Sequence, residues 1–169
     1  MHTKSLCTFM IVLAGIVSTQ QAHSADAHAG HSHDITGLEL GITAGFVHLE
    51  GEDEDAPGLH VHLNKRLSHE GPLSRVALGV GGEIILADHE HYALMAPLTF
   101  YPWRGLMLSI APGIEWAEHD GATESEYTTH IELGYGFEMG KYDIGPVIEF
   151  AQTADEEHYM LGVHFGIHL

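Results

Sequence analysis

Residues 129–139 read THIELGYGFEM, and every second residue of this stretch is apolar or aromatic from Ile131 onward. The residues between them, among them His130 and Glu132, are polar, charged or glycine. A period of two places successive side chains on opposite faces of a β-strand. The stretch therefore predicts a strand with one apolar face and one face of polar or very small side chains.

The same alternation recurs along the chain after residue 37. Apolar residues occupy every second position in runs that start near residues 38, 59, 76, 92, 106, 144 and 159. Together with the first stretch, these runs predict eight strands and no helix in this part of the chain. Two all-β architectures share this pattern. A soluble barrel or sandwich turns its apolar face inward, whereas a transmembrane barrel turns it toward lipid and fills its lumen with small or polar side chains.

The composition of the two faces favours the transmembrane barrel. The apolar rows contain no charged residue, and the opposite rows contain mostly Gly, Ala and Ser with a few Glu and His. Aromatic residues such as Trp103 and Tyr127 gather at strand ends, as they do at the two interfaces of a bilayer. Eight strands close into a barrel that their interior side chains fill. The predicted fold is therefore all-β: an eight-stranded, antiparallel, up-and-down transmembrane β-barrel.

The overall charge excludes one class of function. The chain has 169 residues, with 24 Asp and Glu against 6 Lys and Arg, which gives a formal net charge of -18. Non-specific nucleic-acid binding requires clustered cations, so this class is excluded. The single cysteine is Cys7, so neither an internal disulfide nor a thiolate zinc site is expected.

Residues 1–24 have the features of a secretory signal peptide. Lys4 precedes an apolar run over residues 6–17, which is shorter than the roughly 20 residues that a transmembrane helix needs. Small residues suit cleavage before Ala25, and cleavage before Asp26 is the alternative. The predicted organisation is a signal peptide over 1–24, a His-rich periplasmic tail over 25–36 and an outer-membrane β-barrel over 37–169.

The connections between the predicted strands differ in charge. One set is acidic and contains no Lys or Arg: residues 50–58, 88–91, 118–126 and 152–157. The cations that follow the signal peptide lie in or beside the other set: Lys65, Arg66, Arg75, Arg104 and Lys141. An even number of strands places both termini on one side, which is the periplasmic side in such barrels. We therefore expect the acidic connections to face outward.

The chain from residue 37 to residue 169 resembles the bacterial small outer-membrane β-barrel proteins. The resemblance rests on the signal peptide, the eight alternating strands, a last strand that runs to Leu169 and the tight turn Tyr101-Pro102-Trp103-Arg104-Gly105. It implies localisation in the outer membrane of a Gram-negative envelope, contact with lipid and lipopolysaccharide, and insertion by the barrel assembly machinery. Such barrels serve many functions, so the resemblance specifies architecture rather than activity.

The predicted lumen offers the first candidate metal site. Six inward residues combine imidazole with carboxylate: His60, His62, Glu83, Glu115, His130 and Glu132. The other ionisable residues predicted to face inward are Glu39, Arg66, Glu138, Glu149, His164 and His168. Confined carboxylates need compensation by protonation, charged histidine, water or a bound metal ion. Imidazole with carboxylate suits Zn²⁺, and less selectively Ni²⁺ or Cu²⁺. The alternative is a hydrogen-bonded network that only stabilises the barrel.

Two further regions carry the same ligand types. The tail places His28, His31 and His33 within six residues, which makes a candidate metal chelator or simply a polar spacer. Cleavage before Asp26 would make His28 the third residue, as in the amino-terminal copper- and nickel-binding motif. The acidic connections set histidines among carboxylates: His89, His91, His119 and His158. The acidic run over 50–55 could also bind Ca²⁺ or Mg²⁺ and bridge to lipopolysaccharide phosphates, or be a solvated loop.

These observations predict a protein that is not an enzyme. A nucleophilic trio of Ser109, His130 and Glu132 can be drawn, but the lipid-facing rows lack the polar groups that a lipid-modifying barrel would need. The expected function is that of an outer-membrane barrel that binds or handles divalent transition metals. The alternative is a structural or surface-interaction barrel whose acidic extracellular loops contact a partner.

Overall fold

The computed structural model describes residues 37–51, 53–119 and 122–169. The predicted signal peptide and His-rich tail lie outside these residues. The described chain forms ten β-segments: β1 Leu38–Leu49, β2 Glu54–Arg66, β3 Val76–Leu86, β4 Glu90–Met95, β5 Leu98–Trp103, β6 Leu106–His119, β7 Ala122–Tyr135, β8 Phe137–Met139, β9 Tyr142–Gln152 and β10 Glu157–His168. One single-turn 3₁₀ helix, Pro72–Arg75, lies in the connection between β2 and β3, where the sequence predicted no helix.

The ten segments make a closed barrel of eight strands. β4 and β5 both pair with β3 and β6, so they are two halves of one strand, and β7 and β8 both pair with β9. The barrel closes through β1 and β10, which pair from Glu39 opposite His168 to Leu49 opposite His158. All pairings are antiparallel. The predicted fold class and strand number are therefore confirmed.

Proline explains one of the two strand interruptions. Pro97 lies in the gap between β4 and β5, because a proline has no N–H to donate to the ladder. Pro112 and Pro146 lie inside β6 and β9 opposite Thr129 and Val163. Of these three prolines, only Pro97 coincides with a break in a strand.

The wall of the barrel has its apolar face outside. Leu78, Leu108, Ile131 and Val163 are exposed by 50%, 44%, 44% and 53%. The buried residues are largely polar or charged, and they point into the lumen. A soluble barrel or sandwich would bury the apolar rows, so that alternative is wrong. No helix among the described residues is long and apolar enough to cross a membrane.

At the acidic end of the barrel the strands extend into segments that the sequence predicted to be connections. Asp55 belongs to β2, and Glu124 and Glu126 belong to β7. An apolar cluster fills one side of the lumen near this end, formed by Val47, Leu49, Ala56, Ile85 and Met160. Below this cluster the lumen is polar. The fold therefore positions ionisable side chains in the middle of a barrel whose outside is apolar.

Candidate metal centre

The lumen concentrates ionisable side chains that are almost completely removed from solvent. The buried carboxylates and imidazoles are Glu39, His60, His62, Glu83, His91, Glu115, His130, Glu132, Asp143, Glu149, His158 and His164. Among the described residues, Arg66, Arg75 and Arg104 line the cavity at the basic end of the lumen. The Arg66 guanidinium donates to the carbonyl oxygen of Ser74 at 3.0 Å and lies 4.3 Å from the ring centre of Tyr101. Higher in the lumen, the ion pairs of the carboxylates are with histidines.

Four of these residues converge from four different strands. We call Glu83, His130, Glu149 and His158 the four-residue centre, because one ligand atom of each lies within 4.8 Å of the others. His130 Nδ1 lies 2.6 Å from Glu149 Oε1 and 4.0 Å from Glu83 Oε1. His158 Nε2 lies 3.3 Å from Glu83 Oε1. The centre therefore presents two imidazoles and two carboxylates.

Strand pairing explains why these side chains meet. Ala151 in β9 is opposite His130 on one side and opposite His158 on the other. Its methyl group leaves room for both imidazoles, whose ring centres are 5.5 Å apart. Glu149 lies two residues before Ala151 and therefore on the same face of β9. Glu83 reaches the centre from β3, which pairs with neither β9 nor β10.

Two further groups continue the network. His60, Glu132 and Glu149 form one group, in which His60 Nδ1 lies 3.2 Å from Glu149 Oε2 and 3.6 Å from Glu132 Oε2. Glu149 belongs to this group and to the four-residue centre, so the two adjoin. The other group is Glu39, His62 and His164, in which the two imidazoles stack with ring centres 5.5 Å apart.

Glycine makes room for the Glu39, His62 and His164 group. Gly41 faces the lumen from β1, opposite His62 in β2. A Cβ at position 41 would overlap the rings of both His62 and His164. The glycines of the inward rows therefore provide the space that the bulkier imidazoles occupy.

Several buried polar atoms of this network make no hydrogen bond within the described chain. They include Nε2 of His60, Nε2 of His130, Oε2 of Glu83 and Oε2 of Glu115. A buried polar atom without a partner costs about 1–3 kcal/mol. Tetrahedral Zn²⁺ at about 2.0–2.2 Å from each ligand separates the ligands by roughly 3.3–3.6 Å. Three of the ligand separations in the four-residue centre are 2.6, 3.3 and 4.0 Å, and all of them are within 4.8 Å.

The structure distributes the predicted lumenal ligands over several groups. All six are buried. Glu83 and His130 lie in the four-residue centre, His60 and Glu132 in the adjoining group, and His62 in the third. Glu115 instead pairs with His91, at 3.0 Å between Glu115 Oε1 and His91 Nδ1. The predicted tail ligands His28, His31 and His33 lie outside the described residues.

Two histidines assigned to the outer loops are in fact lumenal. His91 and His158 are each exposed by 1%. The alternation of side chains along β4 and β10 could have predicted this placement. Tyr92 and Tyr159 face outward, so the residues immediately before them face inward. His158 completes the four-residue centre together with Glu149, which the sequence placed inward but not among the ligands.

Glu138 is predicted to face inward, and the register places it on the lumenal face at the rim of the barrel. It lies opposite the lumenal Asp143 and lines the cavity at this end. It is nevertheless exposed, because β8 is a segment of three residues at the rim of the barrel. His168, also predicted inward, is half-buried near this end, with Nε2 at 3.1 Å from Asp143 Oδ2.

An eight-stranded barrel with an apolar outside and a polar lumen is a transmembrane β-barrel of the outer-membrane type. The protein is therefore an outer-membrane barrel whose outer wall contacts membrane lipid. No family model matches the chain, and no curated protein matches it.

Solved structures of small outer-membrane proteins are similar in fold. Neisserial surface protein A is 6% identical over 78% of this chain and 96% of that one, with a TM-score of 0.54. The attachment invasion locus protein of Yersinia pestis is 15% identical over 77% and 96%, with a TM-score of 0.44. The N-terminal β-barrel domain of Pseudomonas aeruginosa OprF is 14% identical over 76% and 97%, with a TM-score of 0.47. At these identities the similarity concerns the fold alone.

Proposed function

We propose that this outer-membrane barrel binds a divalent transition metal ion in its lumen, at the four-residue centre. The observation that carries the proposal is the convergence of two imidazoles and two carboxylates, from four strands, to within 4.8 Å. All four side chains are buried, and the ion pairs of Glu83 and Glu149 are with histidines: His60, His130 and His158. A divalent cation would supply the positive charge that this set of carboxylates lacks.

Zn²⁺ is the first choice of metal. It accepts imidazole and carboxylate in tetrahedral geometry, and the four-residue centre offers two of each. Ni²⁺ and Cu²⁺ use the same ligand types, so selectivity would depend on geometry and on the metal that is available. Binding requires neutral imidazole and ionised carboxylate. His130 Nδ1, which lies 2.6 Å from Glu149 Oε1, must therefore carry no proton when it binds the ion.

The tail is proposed as a separate chelating site. His28, His31 and His33 lie within six residues and need no folded barrel to approach one ion. Metal binding by the full chain is therefore expected to have a tail component and a lumenal component. Replacing the three tail histidines with alanine isolates the lumenal component.

Isothermal titration calorimetry of the full chain refolded in detergent tests the proposal. With the tail histidines replaced, we expect one lumenal Zn²⁺ site of micromolar affinity or tighter. His158→Gln and His130→Gln each remove one ligand. Even outer-shell changes cost about 10–100-fold in affinity, so we expect each ligand change to weaken Zn²⁺ binding at least about 100-fold.

His48→Gln is the matched control. His48 is an exposed histidine on the outside of the barrel, where Nδ1 pairs with Asp55 Oδ1 at 2.9 Å. Its replacement should leave Zn²⁺ binding unchanged. Absence of Zn²⁺ binding by the tail-substituted protein at neutral pH would reject the lumenal site and favour the alternative, a surface-interaction barrel that uses its exposed acidic rim.

A further inference from the structure

A cavity of about 400 Å³ opens at the acidic end of the barrel. Five of its lining residues are carboxylates, and none of its lining residues is Lys or Arg. We call this cavity the acidic vestibule, after those carboxylates: Glu115, Glu124, Glu126, Asp155 and Glu156. Clefts lined by charge of one sign concentrate counter-ions and accelerate their arrival by about 10–10³-fold.

Glu115 connects the acidic vestibule to the lumen. The other four carboxylates are exposed or half-buried, whereas Glu115 is exposed by only 4%. Its Oε1 lies 3.0 Å from Nδ1 of the lumenal His91, and its Oε2 makes no hydrogen bond although it is buried. A buried carboxylate oxygen in the wall of an acidic cavity is a suitable ligand for a cation that has lost part of its water.

The register of the strands places Glu115 next to the four-residue centre. Ala93 in β4 is opposite Glu115 on one side and opposite Glu83 on the other. Both glutamates face the lumen at the same level, and the methyl group of Ala93 is the only side chain between them on that row. One strand, β4, therefore separates an ion held by Glu115 from Glu83 of the four-residue centre.

The cavity at the opposite end has a different charge balance. It has a volume of about 440 Å³, and its lining includes three arginines and three carboxylates: Arg66, Arg75, Arg104, Glu39, Glu138 and Asp143. The arginines offset the carboxylates at this end, whereas the lining of the acidic vestibule includes no Lys or Arg. The charge distribution therefore attracts cations at the acidic end.

We propose that the acidic vestibule is the access route by which divalent cations from outside reach the four-residue centre, with Glu115 passing the ion from the vestibule to the lumen. This inference rests on the proposed function and adds the direction of access and the residues that provide it. Glu124 and Glu126 attract the hydrated ion, and Glu115 is the first buried ligand that it meets.

Stopped-flow kinetics of Zn²⁺ binding test the access route. The protein is the full chain with the three tail histidines replaced, refolded in detergent, and a fluorescent chelator competes for the ion. We expect Glu124→Gln with Glu126→Gln to slow Zn²⁺ association about tenfold at low ionic strength. The difference should shrink at about 1 M salt, where screening acts over roughly 3 Å. Glu115→Gln should also slow association.

Glu50→Gln with Asp88→Asn is the matched control. Both residues are exposed at the acidic end, neither lines the acidic vestibule, and the change in net charge is the same. We expect the rate to change less than about twofold. Equal slowing in the two double variants, or none in either, would overturn the access route while one equivalent of Zn²⁺ still binds at equilibrium. If the parent protein did not bind Zn²⁺ at all, the proposed function and the access route would both be overturned.

Discussion

Glu149 is the carboxylate on which two of the ligand groups depend. Its side chain is fully buried, with Oε1 at 2.6 Å from His130 Nδ1 and Oε2 at 3.2 Å from His60 Nδ1. A single carboxylate therefore accepts from two imidazoles that come from strands on different sides of it. Removal of the charge would take from each buried imidazole its nearest carboxylate.

We expect Glu149→Gln to lower the free energy of unfolding by about 3 kcal/mol, because breaking a buried ionic pair leaves uncompensated polar groups. Urea unfolding of the barrel in lipid vesicles without added metal measures the change. Glu138→Gln removes the same charge at an exposed position of the rim and should leave the unfolding midpoint where it is. Equal midpoints for Glu149→Gln and the parent protein would show that Glu149 contributes nothing to stability.

At the scale of the single strand, the sequence predicted well which side chains face lipid and which face the lumen. In β7 the alternation around Ile131 and Leu133 directs apolar side chains to lipid and directs His130 and Glu132 to the lumen. The same rule applied to β10 would have placed His158 inside. The acidic residues beside His158 indicated a loop, whereas backbone pairing continues the strand to Glu157, opposite Gln152.

The outer wall of β7 provides a test at this scale. Ile131 lies four residues from Tyr127 and four from Tyr135, so it marks the middle of the apolar band. We expect Ile131→Arg to lower the free energy of unfolding in lipid vesicles by about 2–4 kcal/mol, the cost of a lipid-facing arginine near the bilayer midplane. Thr123→Arg, at an exposed position near the acidic end of β7, should cost far less. If the two substitutions had the same effect, the apolar band would not be in lipid.

At the scale of the whole barrel, the proposed lumenal site would couple metal binding to folding. Glu83 comes from β3 and His158 from β10, so the four-residue centre exists only after the barrel has closed. A ligand that binds the folded state alone stabilises it by mass action. Zn²⁺ bound at the four-residue centre should therefore stabilise the closed barrel.

We expect Zn²⁺ at 100 times its dissociation constant to raise the free energy of unfolding by about 2.7 kcal/mol. Urea unfolding with Zn²⁺ or with a chelator measures the shift, in the protein whose tail histidines are replaced. His158→Gln should show a much smaller shift at the same Zn²⁺ concentration. If Zn²⁺ did not change the urea unfolding midpoint of the parent protein, a metal site that requires barrel closure would be contradicted.

The sequence by itself determined the class of fold, the inverted wall and most of the inward ionisable residues, because side-chain parity in a strand is a local property that a period of two records directly. It also indicated His60, Glu83, His130 and Glu132 as residues of a polar lumen. Only the tertiary structure decided which of them meet, that Glu149 and His158 complete the centre, and that Glu115 faces the acidic vestibule. Those contacts depend on how strands far apart in the chain pair, tilt and close, and no local pattern of residues contains that geometry.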